Sequence, residues 1–294
     1  HRAQFDTRVA VRAGDAGKAV ELLESVAQGS SKSGIIESTH VGKSVAFLFT
    51  GQGSQQLNMG KGLYESSVMF RGFFDEIAEA LDSHLPAPIK SVIFAEKGTD
   101  AAASLHETAW TQPALFAFEL ALARTWRAKG IKADFLLGHS IGELVAAQFG
   151  GVMSLEDAAK LVCARGRLMQ ACDPSGGMLS IQANEDEVTQ VLAGYPGKAD
   201  IAGLNSPTQT VVSGDEDALE AIVLQCEKEG RKVTRLSVSH AFHSHHMESM
   251  LADFERIAET CDFSPPRIAL VSNVTGQLAA DEEVTTASYW AKHV

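Results

Sequence analysis

One serine in the sequence has the surroundings of an activated nucleophile. Ser140 is the central residue of a G-x-S-x-G pattern over residues 138–142. An apolar run at residues 135–137 precedes this pattern and another at residues 144–149 follows it, which predicts a strand, a tight turn and a helix. In that setting the hydroxyl is exposed on a strained turn, and the free N–H groups that begin the helix suit a developing oxyanion. The pattern therefore favours a catalytic serine nucleophile over a glycine–serine turn without chemistry.

A serine nucleophile needs a base near neutral pH, and a histidine-rich stretch supplies candidates. Positions 240, 243, 245 and 246 are all histidines. Histidine has an unperturbed pKa of about 6.5, which suits the removal of a serine proton. His139, beside the serine, is discounted because a neighbour in such a turn points away from the reacting face. The residues alone leave open which of the later histidines acts.

The same histidines allow two other interpretations. Imidazole is a common metal ligand, but the spacing H-x-x-H-x-H-H is no standard zinc pattern, and no neighbouring cysteine or carboxylate cluster offers a third ligand. We therefore assign no metal site. His245 and His246 are instead expected to be exposed residues at the start of a helix.

A glycine-containing loop is a second place where the backbone can approach a ligand. The apolar run at residues 45–50 predicts a strand buried on both faces, and Gly51-Gln52-Gly53 follows it directly. Two glycines there allow a close approach of backbone to substrate. The loop lacks the Lys-Ser/Thr of a phosphate-binding loop, so a nucleotide site is not predicted.

Hydrophobic periodicity predicts the elements that must hold these residues. Helices are expected at residues 70–81 and 111–130, and a helix capped by Ser154 carries Arg165. A β-α-β-β-α-β block follows, at residues 178–182, 185–192, 201–204, 210–212, 215–228 and 233–238. A helix that opens at His240 and a strand at residues 268–271 complete the pattern. The predicted fold class is α/β, with a small ferredoxin-like subdomain inserted in a larger α/β subdomain.

The composition excludes several classes of partner. The 294 residues carry a net charge of −12, which argues against nucleic acid as a ligand. No long apolar run and no signal sequence are present, so we expect a cytoplasmic protein with no membrane partner. The four cysteines form no CxxC pair and are expected to be reduced core residues. Before the first buried strand, residues 7–12 predict a strand, residues 17–28 a helix and residues 28–34 a flexible linker.

Three segments together resemble the acyltransferase domains of modular polyketide synthases and, more distantly, bacterial malonyl-CoA:acyl carrier protein transacylases. They are FTGQGSQ at residues 49–55, GHSIGE at residues 138–143 and SHAFHS at residues 239–244. The resemblance covers roughly residues 44–294, and residues 1–43 resemble the end of a linker between ketosynthase and acyltransferase. It implies a hydrolase-like α/β large subdomain at residues 44–175 and 240–294, with the ferredoxin-like subdomain at residues 176–239.

The resemblance also implies roles for matching positions. Ser140 is the implied nucleophile and His243 the general base and then acid. Arg165 matches the arginine that binds the free carboxylate of the substrate, for which a guanidinium fork is suited, although a surface salt bridge is the alternative. The implied oxyanion hole consists of the backbone N–H groups of Gln52 and Ile141. Further positions match residues that line the pocket or set specificity, namely His240, Phe242, Gln112 and Asn205.

The implied reaction loads malonyl from malonyl-CoA onto the phosphopantetheine thiol of an acyl carrier protein, with no bound cofactor and no metal. The implied partners are that carrier protein, a ketosynthase and the other domains of the same megasynthase. The sequence HAFH at residues 240–243 resembles domains selective for malonyl, and Ile141 resembles the same type, so methylmalonyl-CoA is expected to be disfavoured. Alternatives are an α/β-hydrolase esterase or thioesterase, and a non-catalytic docking domain.

One departure from the family pattern concerns the orientation of the histidine. The backbone carbonyl that orients it is expected shortly after residues 289–294, where this sequence ends. We therefore expect the second part of the large subdomain to be shortened and His243 Nδ1 to be unpaired, which puts the activity of the chain in question.

Overall fold

The computed structural model describes residues 8–38 and 44–294, in two compact units that divide after Val45. In the first unit, strand β1 (Arg8–Val11) pairs antiparallel with β2 (Ile35–Ser38), and helix α1 (Ala16–Ala27) lies between them in sequence. Asp15 caps this helix by accepting a hydrogen bond from Lys18 N at 2.8 Å. The predicted strand and helix are confirmed here, whereas β2 was not predicted. Thr7, the first residue of the predicted strand, lies outside the described residues.

The second unit mixes helices and strands throughout residues 46–294. Its strands are β3 (Ala46–Phe49), β4 (Phe135–Gly138), β5 (Gly177–Ile181), β6 (Ala199–Ser206), β7 (Gln209–Gly214), β8 (Val233–Arg235) and β9 (Ala269–Val271). Its helices are α2 (Lys61–Ser66), α3 (Val68–Asp82), α4 (Ile89–Ile93), α5 (Asp100–Ser104), α6 (Thr108–Ala128), α7 (Ile141–Gly150), α8 (Leu155–Gln170), α9 (Glu185–Leu192), α10 (Glu216–Lys228), α11 (Glu248–Ala258) and α12 (Ala287–Lys292). The α/β fold class is confirmed.

A three-stranded parallel sheet, in the order β3-β4-β9, positions the nucleophile. Phe49 pairs with Gly138, so β3 and β4 end side by side and the residues that follow them share one edge of the sheet. His139 N donates to Phe49 O at 2.9 Å across this edge. The glycine loop after β3 therefore lies beside the turn that carries Ser140.

The prediction that the strand at residues 45–50 is buried on both faces is wrong for this chain. Phe47 and Phe49 face α7, where Phe149 stacks on Phe47 with ring centroids 5.6 Å apart. The opposite face is open, and Leu48 on it is 70% exposed. Among residues 46–294, the main core lies on the face of the sheet that packs against α7. Buried residues of α3, α6 and α8 belong to the same core, which therefore covers only this face of β3.

The β-α-β-β-α-β block folds as the pattern predicts. Strands β5 to β8 form an antiparallel sheet in the order β6-β7-β5-β8, which is the ferredoxin-like arrangement. Its separate core includes Leu179, Val212, Leu219 and Ile222. The boundaries of this subdomain at residues 176 and 239, and of the other predicted domains, stay predictions.

Two further expectations can be compared with the structure. The helix expected to open at His240 is wrong in its start: residues 240–244 form turns, and a short 3₁₀ helix (His245–Met247) leads into α11, since Ser244 caps at that point. The four cysteines are buried and free, as predicted.

Within the described residues, no helix has both the length and the apolar character needed to cross a membrane.

Candidate active site

Ser140 lies at the junction of β4 and α7 in a strained backbone conformation. Its φ is 52° and its ψ −117°, a region that residues other than glycine rarely adopt. The flanking glycines are required by space, because a Cβ at Gly138 would overlap the backbone of Gly142 and Glu143, and a Cβ at Gly142 would lie 2.5 Å from Phe49 O. The turn therefore presents the serine hydroxyl at the edge of the sheet and at the start of a helix.

The structure brings His243 to this serine from 103 residues away in sequence. His243 Nε2 lies 3.1 Å from Ser140 Oγ. Burial, and then the charge of Arg165, lower the pKa of His243 to about 3. His243 is partly exposed to solvent. With this lowered pKa its imidazole is neutral at pH 7 and can accept a proton.

The expectation of an unpaired His243 Nδ1 is wrong. The His243 ring makes a hydrogen bond to the backbone of Val294, and this contact raises its pKa, as an accepting carbonyl does. Because Nε2 faces the serine, Nδ1 is the nitrogen that donates. The sequence reasoning placed this carbonyl beyond residue 294, whereas the last turn after α12 already supplies it.

Arg165 contacts the serine from the other side. It is fully buried in α8, and its Nη2 donates to Ser140 Oγ at 3.2 Å. Nε and Nη1 are buried without a hydrogen-bond partner within residues 8–38 and 44–294. Burial lowers the pKa of the guanidinium to about 10, the charge of Glu143 opposes this shift, and the group stays protonated at pH 7. A surface salt bridge, the alternative from sequence, is therefore wrong, and the fork has the character of a site for an anion.

The two N–H groups expected in an oxyanion hole remain available. Their neighbours along the chain are paired: Gly53 N donates to Gln55 Oε1, and Ser140 N donates to Asn273 Oδ1. In the described part of the chain, neither Gln52 N nor Ile141 N donates to another residue outside regular helix and strand pairing. The Gln52 side chain is held separately, through a 3.2 Å hydrogen bond to Thr108 Oγ1.

The expected pocket residues fall into two groups. His240, Phe242 and Gln112 are buried, with the His240 and Phe242 rings 5.6 Å apart. Gln112 Nε2 contacts Met169 Sδ at 3.2 Å, and its Oε1 has no partner in the described chain. Asn205 is exposed near the end of β6, and none of the contacts described for residues 44–294 joins it to Ser140.

Three residues to which the sequence reasoning assigned no role, Asn273, Glu143 and Tyr289, hold the turn that carries Ser140 in place. Asn273 accepts from Ser140 N at 2.9 Å and donates to Gly138 O at 2.7 Å. Its own N–H donates to Glu143 Oε2 at 2.7 Å, and Tyr289 hydrogen-bonds the other oxygen of that buried carboxylate. The signal was present, because Asn273 follows β9 closely and the carboxyl ends of parallel strands meet at one edge.

The expectation that His245 and His246 are exposed is also wrong. Their Nε2 atoms lie 3.0 and 2.9 Å from Asp215 Oδ1, and both rings are partly buried. The carboxylate lies between β7 and α10, 30 residues before His245, so local spacing gave no sign of it. His139 is exposed and lies against Gly51, and no hydrogen bond described for residues 44–294 joins its side chain to Ser140 or His243.

Comparison with known proteins identifies the family. Residues 46–294 match the family described as "Acyl transferase domain". Over 295 residues the chain is 45% identical to polyketide synthase GfsA of Streptomyces halstedii, covering all of this chain and 4% of that protein. It therefore spans a small part of such relatives.

Solved structures give the same answer. The acyltransferase domain from the second module of the salinomycin polyketide synthase superimposes with a TM-score of 0.88 at 41% identity, over 98% of this chain and 66% of that one. The acyl-carrier-protein-S-malonyltransferase of Bartonella henselae gives a TM-score of 0.76 at 32% identity, over 85% of this chain and 80% of that one. The chain belongs to the acyl transferase domain family, in the form found in polyketide synthases.

Proposed function

We propose that this domain loads a malonyl extender unit from malonyl-CoA onto the phosphopantetheine thiol of an acyl carrier protein, through an ester on Ser140. The observation that carries the proposal is the buried guanidinium of Arg165, whose Nη2 lies 3.2 Å from the serine hydroxyl and whose other nitrogens are unpaired. An unpaired buried cation is costly, and a substrate carboxylate removes that cost. The Bartonella henselae relative, by its description a malonyltransferase, supports the same substrate.

The contacts support a ping-pong reaction. His243 Nε2 takes the Ser140 proton as Oγ attacks the thioester carbonyl, and the backbone N–H groups of Gln52 and Ile141 bind the oxyanion. Collapse of the tetrahedral intermediate breaks the C–S bond, and His243 returns the proton to the leaving CoA sulfur. The carrier thiol then gives its proton to His243 and attacks the serine ester. Collapse of this second intermediate breaks the bond between the carbonyl carbon and Oγ, His243 returns the proton to Ser140 Oγ, and the carrier leaves with the malonyl group. The contact with Val294 keeps the ring oriented through both halves.

Arg165 has two effects in this reaction. Its fork orients the malonyl carboxylate, which fixes the carbonyl carbon relative to Ser140. Its charge also lowers the pKa of His243 in the free enzyme. A bound carboxylate neutralises that charge, so the pKa of His243 rises in the complex toward the range that suits a general base. Substrate binding thereby strengthens the base that acts on the serine.

The choice of malonyl over methylmalonyl is proposed to depend on Phe242. The ring is buried, packs beside His240 and directly precedes the base in sequence. A ring at that position fills volume that a 2-methyl branch requires. One methyl in an apolar pocket changes the free energy by about 1–3 kcal/mol, and contact with a fixed ring adds strain.

The geometry disfavours the two alternatives. An α/β-hydrolase would orient its histidine by an acidic side chain, whereas His243 is held by a backbone group of Val294. A docking domain has no need for a strained serine 3.1 Å from a neutral imidazole. We further propose that the domain works beside a ketosynthase in one megasynthase, and in the cytoplasm, where four free buried cysteines stay reduced.

The experiment that tests the proposal compares acyl donors. Purified protein is incubated with malonyl-CoA and, separately, with a neutral aryl ester, followed by a phosphopantetheinylated carrier protein, and intact masses are read. We expect a malonyl adduct that the carrier protein removes. Turnover of the aryl ester without a malonyl adduct would indicate a hydrolase, and no reaction with either donor would indicate a docking domain.

A further inference from the structure

Two histidines and a carboxylate converge where the turn after the base meets the small sheet. His245 Nε2 and His246 Nε2 lie 3.0 and 2.9 Å from the same oxygen, Asp215 Oδ1. The three donor atoms all lie within 4.8 Å of one another. The side chains are partly buried, with exposures of 30%, 10% and 32%, so that an ion can reach them from solvent.

The two separations from Asp215 are those of neighbouring ligands around one ion. Metal–ligand bonds of about 2.0–2.2 Å at angles between 90° and 109° put neighbouring ligand atoms about 2.8–3.6 Å apart. The two distances to Asp215 Oδ1 lie near the short end of this range. Two imidazole nitrogens and one carboxylate oxygen form a ligand set that suits Zn²⁺ and similar divalent transition ions, with a fourth position open to water.

A second carboxylate lies behind the cluster. His245 Nδ1 is buried without a hydrogen-bond partner in the described chain, and Asp200 Oδ2 is 3.5 Å from it. A carboxylate on the far nitrogen of a ligating histidine is the arrangement that orients the ring and increases its basicity as a ligand. Small adjustments of Asp200, which is half exposed, would close this contact.

The orientation of the Asp215 side chain also favours a shared ligand with the two histidines. Asp215 directly precedes α10, where an aspartate usually accepts from the first N–H groups of the helix, yet its side chain makes no such bond. Its carboxylate is turned to the histidines instead. Gly176 leaves space beside them, because a Cβ there would lie 3.1 Å from His246 Nε2.

We propose that His245, His246 and Asp215 bind a divalent transition metal ion, with Asp200 as the partner of His245. The ion ties the segment two residues after His243 to the start of α10 and so fixes the small subdomain against the turn that carries the base. It lies outside the Ser140–His243 contact and takes no part in acyl transfer.

The test uses the protein without a polyhistidine tag, stripped of metal and titrated with Zn²⁺ in a calorimeter and with Co²⁺ by visible absorption. We expect one ion per chain, with the absorption bands of low-coordinate cobalt. Asp215→Asn and His246→Gln should abolish this binding, and Asp200→Asn should weaken it about 10–100-fold. His84→Gln, which removes an exposed histidine elsewhere, is the matched control and should bind normally.

His243→Gln distinguishes this site from the active site, because it removes the proposed base and should leave the stoichiometry at one. Its result is independent of the proposed acyl transfer. Circular dichroism and the melting temperature without metal show whether each variant folds. No uptake by the folded parent protein at micromolar Zn²⁺, or equal uptake by the folded Asp215→Asn and His246→Gln variants, would overturn the proposal and leave a hydrogen-bonded His–Asp–His contact.

Discussion

Replacement of Arg165 by alanine isolates the contribution of the substrate carboxylate. The guanidinium is fully buried and makes a single hydrogen bond, to Ser140 Oγ, within the described residues, so its remaining donors are available to the substrate. Removal of one partner from a buried ion pair costs about 3–5 kcal/mol. At 1.4 kcal/mol per tenfold change, kcat/KM for malonyl-CoA should fall by about 10²-fold to several thousand-fold. Acetyl-CoA has no carboxylate, so acetyl transfer should be unchanged or improved.

The assay follows acylation by intact mass at short times with each donor. Arg167→Ala is the matched control, since this arginine lies on the same helix and is exposed. Arg165→Lys keeps a charge but loses the fork and should recover only part of the malonyl rate. A parallel loss with both donors, in a variant that melts as the parent does, would refute the reasoning and make Arg165 a structural residue.

The remaining predictions concern the base, its pH dependence and the specificity pocket. His243→Ala should lower acylation by about 10²-fold or more, as the loss of a general base does, whereas His240→Ala should mainly alter the choice of substrate. Because the folded pKa of His243 is lowered to about 3, its basic form persists as the pH falls, and kcat/KM for malonyl-CoA should stay flat down to about pH 5, where an ordinary histidine would be protonated. Arg165→Ala removes one cause of that shift and should move the acid limb of the pH profile to higher pH. Phe242→Ser should relax the preference for malonyl over methylmalonyl in a competition of the two CoA thioesters, in part only, because Ile141 and other pocket residues remain.

Each of these has an outcome that contradicts it. Equal losses from the two histidine variants would mean that the base is wrongly assigned. An acid limb centred near pH 6.5 in the parent protein would contradict the lowered pKa of His243. Equal loading of both thioesters by the parent would refute the malonyl preference, and unchanged selectivity in Phe242→Ser would refute its steric explanation.

Short-range patterns predicted much of the fold. The apolar runs before and after Ser140 specify a strand and a helix through local periodicity, and both form where they were predicted. The β-α-β-β-α-β order was also predicted from local hydrophobic periodicity. These features depend on residues within about one element of each other.

The features that sequence reasoning missed depend on contacts between distant parts of the chain. Asp215 reaches His246 across 31 residues and Asn273 reaches Ser140 across 133, and no periodicity encodes such meetings. Val294 orients His243 from the last turn of the chain. The open face of β3 escaped prediction too, because an apolar run shows that residues can be buried and not whether another layer covers them. The role of His243 came from the family resemblance and not from its spacing.

The most direct test of the account is the fate of Ser140 on exposure to malonyl-CoA. The parent protein should gain one malonyl group, peptide mapping should locate it on Ser140, and a carrier-protein thiol should remove it. Ser140→Ala should gain none, whereas Ser91→Ala, which changes an exposed serine, should be modified as the parent is. A malonyl adduct that persists in Ser140→Ala, or a folded parent protein that never acquires one, would contradict the proposed mechanism.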